Sequence, residues 1–438
     1  MNPDNVVLPI VRQIGQRPRL SNALFRFAEF NPFDPQRVSW PYPVYDQMSG
    51  GEPVVYSRLF KEWMVFGYDE VLDVLRSPNV STSGVVTRLR NLAPYNKTSQ
   101  QAMDNFAKWL PFLDPPDHTR LRSAVSRTFT PKRIAEHEPR VRAIAKQLLA
   151  DLATDPAPDL VAGFASPLPV YVIADILGLP QDQFDWLHRA SSEIAGLLEI
   201  LQPFDPDSMS ERFAELHDAF TALIELRRRE PRDDLITALA TDPDSELSDD
   251  EIVALIVVLM FAGHETTTGL LGTTILALSE HPDQRRLLRD QPDLIDNAIE
   301  EFLRYDSPAQ TAVRTTTGPV QAGSVTIPPG ANVGLMIGAA NRDTRRWPDA
   351  EQLHIDRPDP KPLSFGHGIH HCLGAALTRL EMRAAIPAFL DSFGDYAIDP
   401  GAVTWKQSNT LRGVARLTVQ REPAPSHQKA SATELRAP

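Results

Sequence analysis

Hydrophobic residues recur at helical spacing over most of the chain, and the longest such segment covers residues 252–280. In front of it, Ser248 and Glu251 have the spacing of a capping box, in which each side chain bonds to the other residue's backbone amide. A histidine followed by a proline closes the segment. Thirty or so residues at a rise of about 1.5 Å each predict a helix of about 45 Å, enough to cross a whole domain.

Shorter patterns fill the rest of the chain. Helical periodicity extends over 133–229, with breaks near prolines, and returns over 69–76 and 294–305. Short strands are predicted over 53–56, 63–68, 315–320, 324–327, 331–336 and, as a last hairpin, 409–411 with 414–419. Periodicity is poor over 81–113, which predicts a long loop of the kind that often carries function. Together these patterns predict a mainly α fold with a small β region.

Composition narrows the class of protein. The chain has 438 residues, a net charge of −13 and no composition break in its middle, which predicts one large domain over 31–420. Residues 1–30 form a polar extension, and the polar stretch 421–438 is expected to be disordered. The charge argues against nucleic acid as a partner, because phosphate binding needs clustered Lys and Arg. One cysteine fits a reducing compartment, and the N-terminus lacks a signal or membrane-anchor pattern, so we expect a cytoplasmic protein.

The only cysteine, Cys372, lies in a glycine-containing loop that follows a proline-rich approach. The next residues, 373–382, place their apolar side chains on one helical face, so Cys372 stands at the start of a helix. The positive end of a helix stabilises a thiolate. Two other interpretations stay open at this point: a buried structural cysteine, and a metal site formed with His367, His370 and His371. Against the second, no other Cys/His cluster has the spacing of structural zinc.

Polar residues interrupt the long predicted helix at its centre. Gly263 is followed by Glu265, Thr266 and Thr267, although glycine inside a helix costs about 1 kcal/mol relative to alanine. Threonine hydroxyls in a helix can bond back to a carbonyl four residues earlier and bend it. Such a local conflict in a core helix indicates a functional site more than a polar helix–helix contact.

Two of these stretches resemble motifs of one family. The pattern Phe-x-x-Gly-x-His-x-Cys-x-Gly, from Phe365 to Gly374, resembles the haem-binding loop of the cytochrome P-450 enzymes, and Ala-Gly-x-Glu-Thr-Thr, which begins at Ala262, resembles their distal-helix motif. The resemblance implies the cytochrome P-450 fold, a triangular helical prism with haem b between the distal and proximal helices. It implies that Cys372 ligates the haem iron as a thiolate. Phe365, Gly374 and Ala262 would contact the haem.

The resemblance also implies roles for the remaining motifs. Thr266 would be the hydrogen-bonding alcohol and Glu265 the acid that relays protons for the cleavage of dioxygen. The haem propionates would be bound by His118, Arg122, Arg314 and His370, although solvated basic residues are the alternative for the first three. A buried network would hold the cysteine loop in place; its members would be Glu301, Arg304 and Arg357.

The implied activity is insertion of one oxygen atom from O2, the co-substrate, into a small apolar organic substrate. The substrate pocket would be lined by Val258, Phe261, Ala262, Gln310, Ala312 and Leu411 and shaped by the segments 81–113 and 195–204. The chain has no dinucleotide fingerprint and no room for a reductase domain, so electrons would come from a ferredoxin and a ferredoxin reductase.

We expect a monomer that docks its redox partner on a basic patch formed by Arg120, Arg127, Arg379 and Arg383. Two alternative functions remain: a peroxide-driven peroxygenase, which needs no partner protein, and a haem-binding sensor without turnover. The presence of both Glu265 and Thr266 favours the dioxygen route over either alternative.

Overall fold

The helix at the centre of the molecule extends over Asp249–Glu280, and Ser248 and Glu251 form the predicted capping box in front of it. Most of its side chains are buried, because shorter helices pack around it on several sides. By length and composition it could cross a membrane, but 83% of its most apolar window is buried inside the molecule. Burial of this kind is typical of the core helix of a globular domain.

The computed structural model describes residues 39–58, 60–92, 104–127, 129–155, 157–195, 206–243, 247–408 and 410–421. Within them the helices are α1 Tyr42–Ser49, α2 Tyr68–Arg76, α3 Ser83–Leu92, α4 Asp117–Ser126, α5 Pro131–Glu136, α6 Glu138–Leu152, α7 Pro167–Leu177, α8 Phe184–Ala195, α9 Pro206–Arg229, α10 Leu235–Thr241, α11 Asp249–Glu280, α12 Pro282–Asp290, α13 Ile295–Tyr305, α14 Ile337–Ala340 and α15 Ala375–Phe393. Short 3₁₀ or π turns occupy Leu110–Phe112, Val161–Ala165, Gln181–Gln183, Pro292–Leu294, Gly368–His370 and Pro400–Ala402.

The strands are short. They are β1 Val54–Ser57, β2 Glu62–Val65, β3 Val80–Ser81, β4 Ala312–Thr316, β5 Val320–Ala322, β6 Val325–Ile327, β7 Asn332–Leu335, β8 Tyr396–Ile398, β9 Thr404–Trp405, β10 Val414–Arg416 and β11 Val419–Arg421. Five of them form one sheet in the order β1-β2-β7-β4-β3, in which only β2 and β7 run parallel. The other six form three antiparallel pairs.

Three hydrophobic cores lie among the described residues. The large core joins α11 to α6, α7, α13 and α15, and the small core lies between the five-stranded sheet and α2. A third core joins α1 to Met64, Phe66 and Met336. The predicted fold class is confirmed, since a helical body with a small β region is what the structure shows.

The predicted local elements agree with the structure in some places and differ from it in others. The first hairpin is confirmed as β1 and β2. The segment 81–113 is not all loop, because it contains α3, whose glycine and β-branched residues weaken the sequence signal for a helix. The predicted last hairpin is wrong in its pairing, since β10 pairs with β9 and β11 with β8. All of 1–30 lies outside the described residues, as do 196–204 of the predicted pocket segment 195–204 and 422–438 of the segment 421–438.

Candidate active site

A cavity separates α11 from the start of α15 near the middle of the molecule. Its empty space amounts to about 1090 Å³, including the part that is open to solvent, and most of its walls are apolar. Nine of the predicted site residues line it: His118, Arg122, Val258, Ala262, Thr266, Phe365, His370, Cys372 and Gly374. The fold therefore brings together residues from three distant parts of the chain.

The loop that carries Cys372 is held by its own backbone. The amide of Cys372 donates to the carbonyl of Phe365 at 2.8 Å, and the amide of His371 donates to the carbonyl of Gly368 at 3.1 Å. Gly368 has a φ of +71°, and a Cβ there would lie 2.7 Å from the carbonyl oxygen of Leu75. A side chain at this position would both strain the backbone and collide with it, so the loop requires glycine.

The environment of Cys372 opposes ionisation only in part. Burial raises the pKa of the thiol, while the amides of Gly374 and Ala375 and the guanidinium groups of Arg122 and Arg379 lower it. A bound cation would shift the balance fully, because a metal that coordinates a thiol deprotonates it. The cavity thus offers a thiolate ligand to a metal-containing group.

A cluster of basic side chains borders the cavity close to Cys372. Arg122 donates to the carbonyl of His371 at 2.7 Å, and the rings of His118 and His370 lie 4.3 Å apart. Burial, with Arg314 and His118 nearby, lowers the pKa of His370 to about 3, so its ring is neutral. Arg314 does not itself line the cavity; it is half-buried on β4, and burial lowers its pKa to about 10.

One polar atom of this cluster has no partner among the described residues. His118 is 2% exposed, and its Nε2 makes no hydrogen bond there. A buried polar atom without a partner costs free energy, so such atoms usually face a ligand or an ordered water. The neighbouring arginines favour a ligand with negative charge, such as a carboxylate.

The polar residues at the centre of α11 face in different directions. Thr266 lines the cavity, and its hydroxyl donates to the carbonyl of Ala262 at 2.8 Å, as expected for a threonine inside a helix. Glu265 lies outside the cavity lining, and Lys406 donates to its carboxylate at 2.6 Å. The acid and the alcohol are therefore neighbours in sequence, but only the alcohol touches the cavity.

A fully buried ionic network anchors the cysteine loop. Glu301 accepts from Arg304 at 2.7 and 2.8 Å, from Arg357 at 3.1 Å and from the amide of His354 at 2.9 Å. Arg304 also donates to the carbonyl of Asn341 at 3.2 Å.

Asn341 connects this network to the loop itself. Its amide side chain accepts from the backbone N–H of Leu363 at 2.7 Å and donates to Ser364 at 2.9 Å. These two residues directly precede Phe365, so displacement of the ionic network would displace the loop that presents Cys372.

Four predicted pocket residues lie outside the cavity lining. Phe261 packs against Trp109, with ring centroids 5.7 Å apart. The Gln310 side chain accepts from the Tyr45 hydroxyl at 2.8 Å and donates to the Ser307 carbonyl at 2.7 Å.

The other two of these residues pack in the cores. Ala312 packs in the small core beside the sheet, and Leu411 packs against the large core. Val258 and Ala262 are the predicted pocket residues that do line the cavity.

Ion pairs engage every arginine of the predicted basic patch, and the docking of a redox partner on it stays a prediction. Each of its arginines is paired with a carboxylate: Arg120 with Glu251, Arg127 with Asp242, Arg379 with Glu300 and Arg383 with Asp296. The acidic partners come from distant parts of the sequence, so a count of nearby arginines could not reveal them.

The histidines near Cys372 do not form a metal site by themselves. Across the described ranges, no group of three or more His, Cys, Asp or Glu side chains is arranged to hold a metal ion. The interpretation of 367–372 as a zinc-type site therefore has no support in the fold.

Glu381 is a cavity-lining acid that the sequence analysis missed. It lies on α15 and is 2% exposed. Burial raises the pKa of its carboxyl to about 8, and the neighbouring Thr267 hydroxyl lowers it only in part. A glutamate nine positions after the cysteine on a helix was the available signal, but its burial depends on how α15 packs against α11.

We expect Glu381→Gln to stabilise the protein at high pH relative to the wild type. Because the folded-state pKa of Glu381 lies above the unfolded value of 4.5, its favourable contribution is fully present below pH 4.5 and is lost as the pH rises to about 8. The free energy of unfolding of the variant, relative to wild type, should increase by about 3 kcal/mol between pH 5 and pH 8. Urea denaturation at both pH values measures it; a difference independent of pH would contradict the assignment.

Comparison with known proteins agrees with this geometry. The family model for cytochrome P-450 matches residues 63–419. The chain is 37% identical over 391 residues to vitamin D(3) 25-hydroxylase of Pseudonocardia autotrophica, which covers 87% of this chain and 94% of the relative. It is 35% identical over 400 residues to 6-deoxyerythronolide B hydroxylase of Saccharopolyspora erythraea, covering 88% and 97%. The crystal structure of CalO2 superposes with a TM-score of 0.82 at 30% identity, covering 90% of this chain and 99% of the other.

The protein is thus a haem-thiolate oxidoreductase by fold and site. It belongs to the cytochrome P-450 family, whose bacterial members include hydroxylases and monooxygenases. The family implies a haem with a cysteine thiolate ligand and O2 as co-substrate. The residues present fit that group: a thiol lies at one wall of the cavity, and Arg122 and an unpartnered buried histidine nitrogen, both suited to carboxylates, lie at its edge.

Proposed function

We propose that this enzyme inserts one oxygen atom from O2 into an apolar organic substrate, by hydroxylation or epoxidation, with electrons from a separate ferredoxin and its reductase. The observation that carries the proposal is that the thiol of Cys372 and the hydroxyl of Thr266 line one largely apolar cavity. A haem bound there supplies the activation of dioxygen. The protein supplies the ligand, the orientation and the protons.

Several residues would hold and orient the haem. Cys372 would ligate the haem iron, and the two propionates would be bound by His118, Arg122, Arg314 and His370. Charge-assisted bonds from guanidinium groups to carboxylates are the stronger class of hydrogen bond. The ring of Phe365, against which the guanidinium of Arg379 packs at 4.5 Å, would cover one side of the ligand sulfur.

Thr266 and Glu265 would manage the protons that oxygen cleavage consumes. The Thr266 hydroxyl, exposed to the cavity, can accept a hydrogen bond there while it donates to the carbonyl of Ala262. Glu265 must release its bond to Lys406 and turn before it can pass a proton to this side. Their separation in the structure therefore supports a relay with a movable acid, and general acid–base steps of this kind contribute about 10²–10⁴-fold to a rate.

The apolar wall favours a substrate with few polar groups. Val258, Leu259 and Ile173 line the cavity beside Ala262. Relatives are named for vitamin D(3) and for 6-deoxyerythronolide B, both bulky and largely apolar. We therefore propose a natural product of similar bulk as the substrate, oxidised by a monomer in the cytoplasm.

Reconstitution tests the proposal directly. Holoenzyme supplied with a ferredoxin, a ferredoxin reductase and reduced nicotinamide should convert vitamin D(3) or 6-deoxyerythronolide B, or a compound selected by its spin-state shift, to a product 16 mass units heavier. Label from ¹⁸O₂ should appear in that product. Turnover with hydrogen peroxide alone, and none with the ferredoxin system, would establish a peroxygenase instead. Haem binding without any product would favour a sensor.

A further inference from the structure

A polar cluster lies behind the cavity wall, where the start of α7 and the middle of α8 meet α11. The hydroxyl of Ser166 is 2.7 Å from His188 Nε2 and 3.0 Å from His264 Nε2. On the other side of the same ring, the Ser191 hydroxyl is 2.9 Å from His264 Nδ1. The oxygen atom Oε1 of Glu265 lies 3.6 Å from that nitrogen. The cluster thus extends from a half-buried histidine to the acid beside Thr266.

His264 is placed to pass protons rather than to store one. Its side chain is completely buried, and both ring nitrogens have hydroxyl partners. Burial holds its pKa well below the ordinary value, with His188 and Lys406 acting in the same direction. A neutral imidazole has one N–H donor and one acceptor nitrogen, so it can take a proton at one nitrogen while it releases one from the other.

We propose that His188, Ser166 and His264 form a chain that supplies protons from the protein surface to Glu265. This inference rests on the proposed function of Glu265 and Thr266. The transfer is concerted, so that no ring or hydroxyl is left without its proton: the Nε2–H bond of His188 breaks as an O–H bond forms on Ser166, and the original O–H bond of Ser166 breaks as an N–H bond forms at His264 Nε2. In the same step the Nδ1–H bond of His264 breaks as an O–H bond forms on the Glu265 carboxylate. Water at the surface restores the proton of His188.

The chain of hydrogen bonds is interrupted between His264 and Glu265, and this interruption explains how the relay is controlled. The 3.6 Å between His264 Nδ1 and Glu265 is too long for a hydrogen bond. At the same time the other carboxylate oxygen of Glu265 accepts from Lys406 at 2.6 Å. Movement of the carboxylate away from Lys406 toward Nδ1 would close the gap and load the acid. His264 is therefore a positioning and relay residue that acts through Glu265.

A purely structural role for the cluster makes different predictions. If the cluster only stabilises the packing of three helices, its hydrogen bonds are needed, but protons need not exchange along them. The substitution His188→Phe keeps a ring of similar size and removes the outer end of the chain. Ser166→Ala removes the middle link with the loss of one atom and serves if the first variant folds poorly. Ser192→Ala is the matched control, because its hydroxyl bonds only the carbonyl of His188 at 3.0 Å.

The first measurement is the exchange of the His264 ring N–H with water, by ¹⁵N-histidine NMR of the reduced, carbon-monoxide-bound holoenzyme, which is diamagnetic. We expect exchange to slow about tenfold in His188→Phe and Ser166→Ala and to be unchanged in Ser192→Ala. The second measurement is the share of electrons released as hydrogen peroxide with ferredoxin, reductase and vitamin D(3) as the probe. That share should rise several-fold in the two chain variants, because protons reach the site more slowly.

The outcomes separate this inference from the proposed function. Exchange and peroxide release equal to wild type in both chain variants would overturn the relay, as would an equal change in Ser192→Ala. The relay would also be overturned if peroxide release changed in Lys406→Gln but not in His188→Phe. The protons would then enter from the opposite side of Glu265. A wild-type holoenzyme that consumes no electrons under any condition would instead refute the proposed function.

Discussion

Replacing Glu301 by glutamine is expected to lower the free energy of unfolding by about 3–5 kcal/mol. Glu301 is fully buried and is the shared carboxylate of Arg304 and Arg357, which lie at 2.7 and 3.1 Å. The glutamine has nearly the same shape, but it removes the negative charge and leaves a buried guanidinium without compensation. Urea denaturation followed by far-ultraviolet circular dichroism measures the change.

The neighbouring residue supplies a matched control. Glu300 lies on the same helix, α13, and pairs with Arg379 at 2.6 Å, but both side chains are partly exposed. The same substitution there, Glu300→Gln, should cost less than about 1 kcal/mol. Equal losses from the two variants would mean that burial does not set the strength of the network. We also expect Glu301→Gln, but not Glu300→Gln, to weaken haem retention, because the buried network is connected to the cysteine loop through Asn341.

The second large effect is expected from Cys372→Ser, which should abolish oxygen insertion. The hydroxyl of serine occupies nearly the same space but is not a thiolate, which is the axial ligand that favours cleavage of the O–O bond. The loop itself should persist, because the hydrogen bond from residue 372 to the carbonyl of Phe365 is made by the backbone. Product formation in the ferredoxin system should therefore fall below detection while the variant remains folded by circular dichroism. Retained turnover would contradict the assignment of Cys372.

The features that could be predicted from the sequence are those encoded locally. The capping box and the apolar periodicity of α11 act within a few residues of one another, and both appear in the structure. The cysteine loop depends on glycines at positive φ, which leave a clear mark in the sequence. The cluster of basic side chains beside Cys372 is not encoded locally, because the ring of His118 meets that of His370 only after α4 packs beside the loop.

The features that could not be predicted depend on partners far along the chain. Gln310 was expected in the pocket, but Tyr45, which lies 265 positions away, fixes its side chain elsewhere. The carboxylate partners of Arg120 and Arg127 lie more than a hundred positions away, so their charges appear free in the sequence. The polar cluster around His264 was hidden for the same reason, because Ser166, His188 and His264 belong to three different helical segments.

The central claim is that Cys372 is a thiolate ligand to haem in this cavity. The absorption spectrum of the reduced, carbon-monoxide-bound protein tests it most directly, recorded for wild type and for Cys372→Ser under the same conditions. We predict a strongly red-shifted Soret band in the wild type that is lost in the variant. Absence of haem from the wild type, or an imidazole-type spectrum that the substitution leaves unchanged, would contradict the account.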